Sequence, residues 1–206
     1  MWCLGDLVGR TGSAATLKLA QASCTVVLAG NHDLVVAGRL PEAYVATHGG
    51  AGILSIRAEL DEQEMAALAT LPTEHLGIGL HAAHAALDHP TDHVEDRFDA
   101  DTQLALADRR YLALGHAHRA FCFTGEEGCW IVEPDRCVEL GGSALVSPGS
   151  VRSTDVRQGT ICVLDTTADT CHWHRVGATI VTVPATTAGP TPHPRKGYEP
   201  TAEQPK

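Results

Sequence analysis

At 206 residues the chain is long enough to bury a core, and its formal net charge of −10 argues against a nucleic-acid backbone as a stable partner. It contains no apolar run of the ~18 residues that a transmembrane helix needs, and its N-terminus lacks the basic and apolar regions of a signal peptide. Seven cysteines without a C-x-x-C pair, most of them inside apolar segments, read as buried reduced thiols of a cytoplasmic protein.

Residues 2–4 open the chain as the end of a buried strand, followed at once by Gly5-Asp6. Ser13–Ala22 reads as a helix, and Cys24–Ala29 is the continuous apolar run of a strand buried on both faces. Leu60–Leu71 is a second helix, with Asp61 and Glu64 spaced for mutual capping and Pro72 after the last turn. An apolar segment Leu76–Ala82, a third helix Asp101–Arg110 and a buried strand Tyr111–Leu114 follow. Beyond Gly115 come short runs at 120–123, 129–133, 136–140, 144–147, 160–165 and 170–176, separated by turn residues, which predicts a β-meander. Strand–helix alternation in front and β behind predict an α/β (α+β) fold of two packed sheets with helices outside. Six of the eleven prolines fall after Val183, so 183–206 is expected to be a disordered tail and 1–180 the domain.

Four apolar runs end in clusters of metal-ligand residue types: CLGDLVG, LAGNHDL, GLHAAHA and LGHAH. Strand C-termini are where open α/β sheets gather their ligands. Mixtures of Asp, Asn and His without thiolate suit divalent Mn, Fe, Zn, Ni or Co. A carboxylate such as Asp6 can bridge two ions, which together polarise a phosphoryl oxygen and turn water into a nucleophile at neutral pH. His32, pointed by Asp33, could give the departing oxygen its proton.

The order Gly5-Asp6-Leu7-Val8-Gly9, Gly30-Asn31-His32-Asp33, a histidine after a third strand and Gly115-His116-Ala117-His118 resembles the calcineurin-like metallophosphoesterases, in particular their small prokaryotic phosphodiesterase branch. Ser147-Pro148-Gly149-Ser150-Val151 is similar to that branch's N-P-G-S-V stretch. The resemblance implies a four-layer αββα sandwich of two mixed β-sheets flanked by helices, and phosphodiester hydrolysis by a hydroxide held between two divalent ions. It implies Asp6 as the bridging ligand, Asn31 and His116 on the second metal, His118 on the first, and His32 as the proton donor with Asp33 orienting it. The third-strand histidine is His84 if HAALDHP matches the family's H-[AG]-S-P-x-x-P, with His81 as the alternative. Arg10 is a candidate substrate contact. The implied partner is a small phosphorylated substrate, without a membrane, and self-association as a homo-oligomer stays open.

The family begins with a strand ending in D-x-H and a helix, and no such segment precedes Gly5. The sequence is therefore expected to be N-terminally truncated, lacking the usual first strand and helix. The first metal then keeps Asp6 and His118, and the second Asp6, Asn31, His84 and His116. The alternative reading is a catalytically impaired fragment, or a regulatory or binding module. His172 and His174 share one face of a late strand and read as solvent-facing; His89 and His93 read as parts of a solvated loop, and His48 is given no role.

Overall fold

The computed structural model describes residues 1–9, 12–44, 51–124, 128–152 and 159–177. Arg10 and the proline-rich segment 183–206 lie outside the described residues.

Two short strands start the fold. β1 (Trp2–Cys3) pairs in parallel with β2 (Val26–Val27), and α1 (Ala14–Ser23) makes the crossover. Ser13 caps α1: its hydroxyl accepts the Thr16 N–H, and the Thr16 hydroxyl accepts the Ser13 N–H at 3.3 Å. Gly30 then leads into α2 (Asn31–Val36), all six residues of which are buried. α3 (Ala51–Ser55) runs into a 3₁₀ turn at Ile56–Ala58 and α4 (Glu62–Thr70) follows. α4 starts with the expected reciprocal cap, the Asp61 and Glu64 side chains each accepting the other's N–H at 2.8 Å.

β3 (Glu74–Leu76), β4 (Leu80–Ala83), α5 (Arg97–Leu106), β5 (Tyr111–Leu114), β6 (Ala120–Thr124) and β7 (Gly128–Ile131) come next. β8 (Cys137–Glu139), β9 (Ala144–Pro148), β10 (Thr160–Asp165) and β11 (Thr170–Arg175) complete the described elements. Six strands form one mixed sheet in the order β3-β4-β5-β9-β6-β7, with β4, β5 and β9 parallel. β10-β11-β8 form an antiparallel sheet of three.

Side-chain alternation explains the layers. On the six-stranded sheet Ala82, Tyr111, Ala113, Cys122, Ala144 and Val146 face inward, into a cluster shared with Leu28, Cys171 and Trp173. Their neighbours Ala83, Leu112, Leu114, Phe121 and Leu145 face outward, against Ala100 of α5. Leu7, Val8 and Ala29 pack with Leu17, Val35 and Leu68 of the helices on the far side of β1–β2. Helices, the β1–β2 pair with the three-stranded sheet, the six-stranded sheet and α5 thus make the four αββα layers. Trp173 is fully buried between the sheets, and its Nε1–H donates to the Ser147 carbonyl at 2.8 Å. Burying an indole of 150–250 Å² contributes on the order of 4 kcal/mol.

Local departures from the expected elements have physical causes. The third helix begins four residues earlier than expected because the Asp96 carboxylate accepts the Asp99 N–H at 2.9 Å and fixes the start. Arg109 and Arg110 are then free of the helix and donate to the carbonyls of Gly77 and Gly142, each at 3.1 Å. The segment 76–82 divides into β3 and β4, because Gly77-Ile78-Gly79 turns the chain back and Gly79 takes φ +75°. The late strands do not form one meander: β9 inserts between β5 and β6, parallel to β5, while β8 pairs with β11. A strand with both faces buried, as Ala144–Ser147 are, belongs at a sheet's centre.

Candidate metal centre

Loops after β1, β2, β4 and β5 meet at one point, and glycines let them approach. Gly5 has φ +103°, and a Cβ there would overlap the Gly30 backbone and lie 2.8 Å from His84 Nδ1. A Cβ on Gly30 would overlap the Asp6 carboxylate, and one on Gly115 would come 2.9 Å from the Leu4 Cβ.

Asp6 is in the left-handed region at φ +59°, which turns its carboxylate back over the strand ends. Its Oδ1 accepts the His32 N–H at 3.3 Å and stands 3.4 Å from His84 Nε2. Its Oδ2 lies 2.9 Å from His118 Nε2 and 3.7 Å from His32 Nδ1. Burial alone would raise the Asp6 pKa, but His84, His118 and His32 outweigh it and hold the carboxyl well below its usual range.

Two histidines have their tautomers fixed by backbone carbonyls. His84 Nδ1–H donates to the Leu4 carbonyl at 2.6 Å, and His116 Nε2–H donates to the Thr91 carbonyl at 3.1 Å. That leaves the lone pairs of His84 Nε2 and His116 Nδ1 facing each other at 3.2 Å, with Asn31 Oδ1 3.0 Å from the former. Asp6 Oδ1, Asn31 Oδ1, His84 Nε2 and His116 Nδ1 are therefore four acceptors around one point, with no donor proton of their own to separate them. Tetrahedral ligands at ~2.1 Å from a divalent ion stand about 3.4 Å apart, so this spacing fits a metal. Burial, the first cause, and the neighbouring histidines push His116 down to about 3; burial also lowers His84. Neutral imidazoles are the ligating form.

Asp33, fully buried, accepts the N–H groups of Leu7 and Val8 on Oδ1 at 2.9 and 3.0 Å, and that of Gly30 on Oδ2 at 2.8 Å. Its partners thus place it as the tie between the two loops that carry Asp6 and Asn31. Burial first, then the Asp6 charge, pushes it up to about 7 against those three N–H donors. His81 does not join the centre. It faces away from it on β4, its Nε2 3.0 Å from Glu74 Oε2 and its Nδ1 accepting the Asp108 N–H at 3.3 Å. The third-strand histidine at the centre is His84.

The calcineurin-like phosphoesterase superfamily domain matches residues 1–169. The chain belongs to that superfamily. Its fold is shared with the crystal structure of a metallophosphoesterase from Sphaerobacter thermophilus, at 19% identity and TM-score 0.71, covering 86% of this chain and 77% of that one. A hypothetical protein from Pyrococcus horikoshii OT3 aligns at 14% identity and TM-score 0.62, over 85% and 73% of the two chains. No curated protein matches the sequence. Membership of the calcineurin-like superfamily brings metal-dependent phosphoester hydrolysis as the class of activity. Among the described residues, no helix is long and apolar enough to cross a membrane.

Sequence reasoning missed the surroundings of this phosphoesterase centre. The His93 ring stacks on His116, with centroids 4.0 Å apart and planes 24° from parallel. Asn31 Nδ2–H donates to the Tyr44 hydroxyl at 3.3 Å. His93 was read as part of a solvated loop, although the density of histidine in HAALDHPTDH is a signal that could have found it; nothing in the sequence pointed at Tyr44.

Proposed function

We propose that the chain hydrolyses phosphodiesters at two divalent ions, with Asp6 contributing to both. The observation that carries the reading is the convergence of four lone pairs from Asp6, Asn31, His84 and His116, each histidine locked by a backbone carbonyl on its other nitrogen. Asp6 directs Oδ1 toward that set and Oδ2 toward His118, as a carboxylate shared between two neighbouring sites requires. Divalent ions held there, manganese or another of the Mn, Fe, Zn, Ni and Co group, would supply Lewis acidity at phosphorus and make water more acidic.

The protein's own groups do the rest. His32, buried beside Asp6, donates the proton that the departing alkoxide needs. Asp33 fixes the two loops that present Asp6 and Asn31. An acidic protein suits a diester monoanion better than a monoester dianion, in keeping with the resemblance to the phosphodiesterase branch. The six described cysteines are all free, which suits the reducing cytoplasm.

The test is hydrolysis of bis(4-nitrophenyl) phosphate with added Mn. Asp6→Asn and His32→Ala should each reduce turnover at least ~100-fold, the loss of several kcal/mol of transition-state stabilisation. Hydrolysis unaffected by either substitution would end the proposal.

A further inference from the structure

Asn31 brings an ambiguous group to the centre. Its amide has a carbonyl end that can ligate a cation and an NH₂ end that cannot, and the two ends have nearly the same shape. The orientation seen turns Oδ1 toward His84 Nε2, 3.0 Å away, in a group that already contains Asp6 Oδ1 and His116 Nδ1. In metal-free protein that is the unfavourable choice, since it adds an acceptor to three others. A half-turn about the Cβ–Cγ bond would bring NH₂ to the same place, where it would donate to the His84 lone pair and to Asp6. The inverted amide suits the empty site and opposes the ion, so something outside the lone-pair cluster must hold the ligating orientation.

The geometry points to Tyr44 as that positioning residue: its hydroxyl receives the Asn31 Nδ2–H and so keeps Oδ1 turned to the metal position. This rests on the reading of the centre as a metal site. Tyr44 is half-buried on the segment after α2, and its Oη is 3.3 Å from Asn31 Nδ2. A phenol can also donate, which would favour the inverted amide, unless its own proton is engaged elsewhere. Thr91 is a further hydrogen-bond partner of Tyr44, and the Thr91 hydroxyl lies 2.9 Å from His89 Nδ1. Tyr44 O–H donating to Thr91 Oγ1 uses the Tyr44 proton and leaves only its acceptor for Asn31; His89 Nδ1, which also faces the Asp92 carboxylate at 3.0 Å, donates to the same Thr91 oxygen. Thr91 also accepts the His116 Nε2–H on its carbonyl at 3.1 Å, so Tyr44 and His116 are braced by the same residue. Partners that orient a ligand in this way affect metal affinity by 10–100-fold.

The experiment titrates Mn²⁺ and Zn²⁺ into metal-free protein against a chromophoric chelator, using wild type, Tyr44→Phe, Asn31→Asp and the double variant. Tyr44→Phe removes only the hydroxyl and should weaken binding at the Asn31 site about tenfold. In Asn31→Asp both ligand ends are oxygen, so adding Tyr44→Phe should change affinity less than about twofold. A merely structural tyrosine would cost the same in both backgrounds, and that result overturns the inference. The Asn31 side-chain amide signal in a ¹⁵N spectrum of the metal-free protein gives a second reading, valid even if Asn31→Asp binds no metal. Tyr44→Phe should move it and speed its exchange with water; an unmoved signal overturns the inference. If wild type binds metal and Tyr44→Phe binds it equally, the inference alone fails. If wild type binds no metal, the reading of the centre fails with it.

Discussion

Gly30→Ala isolates the effect of space at the centre. Gly30 has φ −87° and ψ 173°, a conformation open to any residue, so alanine brings no backbone strain. Its methyl group, however, would overlap both the Asp6 carboxylate and the Asp6 backbone nitrogen and would sit 2.8 Å from His84 Cε1. None of these is the loose end of a flexible side chain. Asp6 is held by His118 and the His32 N–H, and His84 by the Leu4 carbonyl, so relief must come from separating the β1 and β2 loops. Overpacking of this kind costs about 1–3 kcal/mol. At roughly 2–4 °C per kcal/mol for a chain of this size, the melting temperature should fall by about 2–12 °C. The same displacement takes Asp6 out of the donor set, so metal affinity should fall about 10–100-fold. Gly52→Ala is the control: no atom lies within 4 Å of its Cβ, and a helical alanine should stabilise by up to about 1 kcal/mol. Thermal melts with and without EDTA, paired with metal titration, read both effects. A Gly30→Ala protein that melts within 2 °C of wild type and binds metal equally would refute the reasoning.

Two further predictions separate neighbouring histidines and their charge states. His84→Gln should lower metal affinity about 10–100-fold in chelator competition, whereas His81→Gln should change it less than about threefold and instead lower the melting temperature through its lost Glu74 and Asp108 contacts. In metal-free protein His116, held down to about 3, stays neutral in the fold while the unfolded chain takes up a proton below about 6.5. Its contribution to stability is thus complete above pH 6.5 and is lost progressively as pH falls toward 3; Asp33, pushed up to about 7, works with the opposite sign over part of that range. Urea midpoints measured between pH 7 and 4 should therefore fall less steeply for His116→Gln than for wild type, and parallel curves would exclude the assigned cause.

Much of the centre could be read from the sequence because its donors stand at strand ends, where an apolar run stops against Gly and a ligand type. Asp6, Asn31, His116 and His118 were expected there in this way; of the two third-strand candidates, His84 stands beside Asn31 and His116 while His81 contacts Glu74 and Asp108. α2 was hidden because six residues, all buried, show no helical period; NHDLVV looks like the end of a strand. The place of β9 was also hidden, since strand propensity says nothing of which neighbour a strand chooses. Asp33 was expected to orient His32; its hydrogen bonds tie it to the N–H groups of Leu7, Val8 and Gly30, two of them 26 and 25 residues away, a role that side-chain identity alone does not reveal. Tyr44 makes its contact from a segment with no periodic signal at all.

The four donors at the centre come in equal numbers from two different layers. Asp6 and Asn31 follow β1 and β2, while His84 and His116 follow β4 and β5 of the six-stranded sheet. A bound ion would then be a rivet between layers, and docking of the two-stranded pair and retention of the ion would draw on one free energy. By mass action, an ion at 100 times its dissociation constant would add about 2.7 kcal/mol to the folded state. A chelator would act on this protein as a mild denaturant, and any event that pried β1–β2 from the larger sheet would be felt in solution as a burst of free metal.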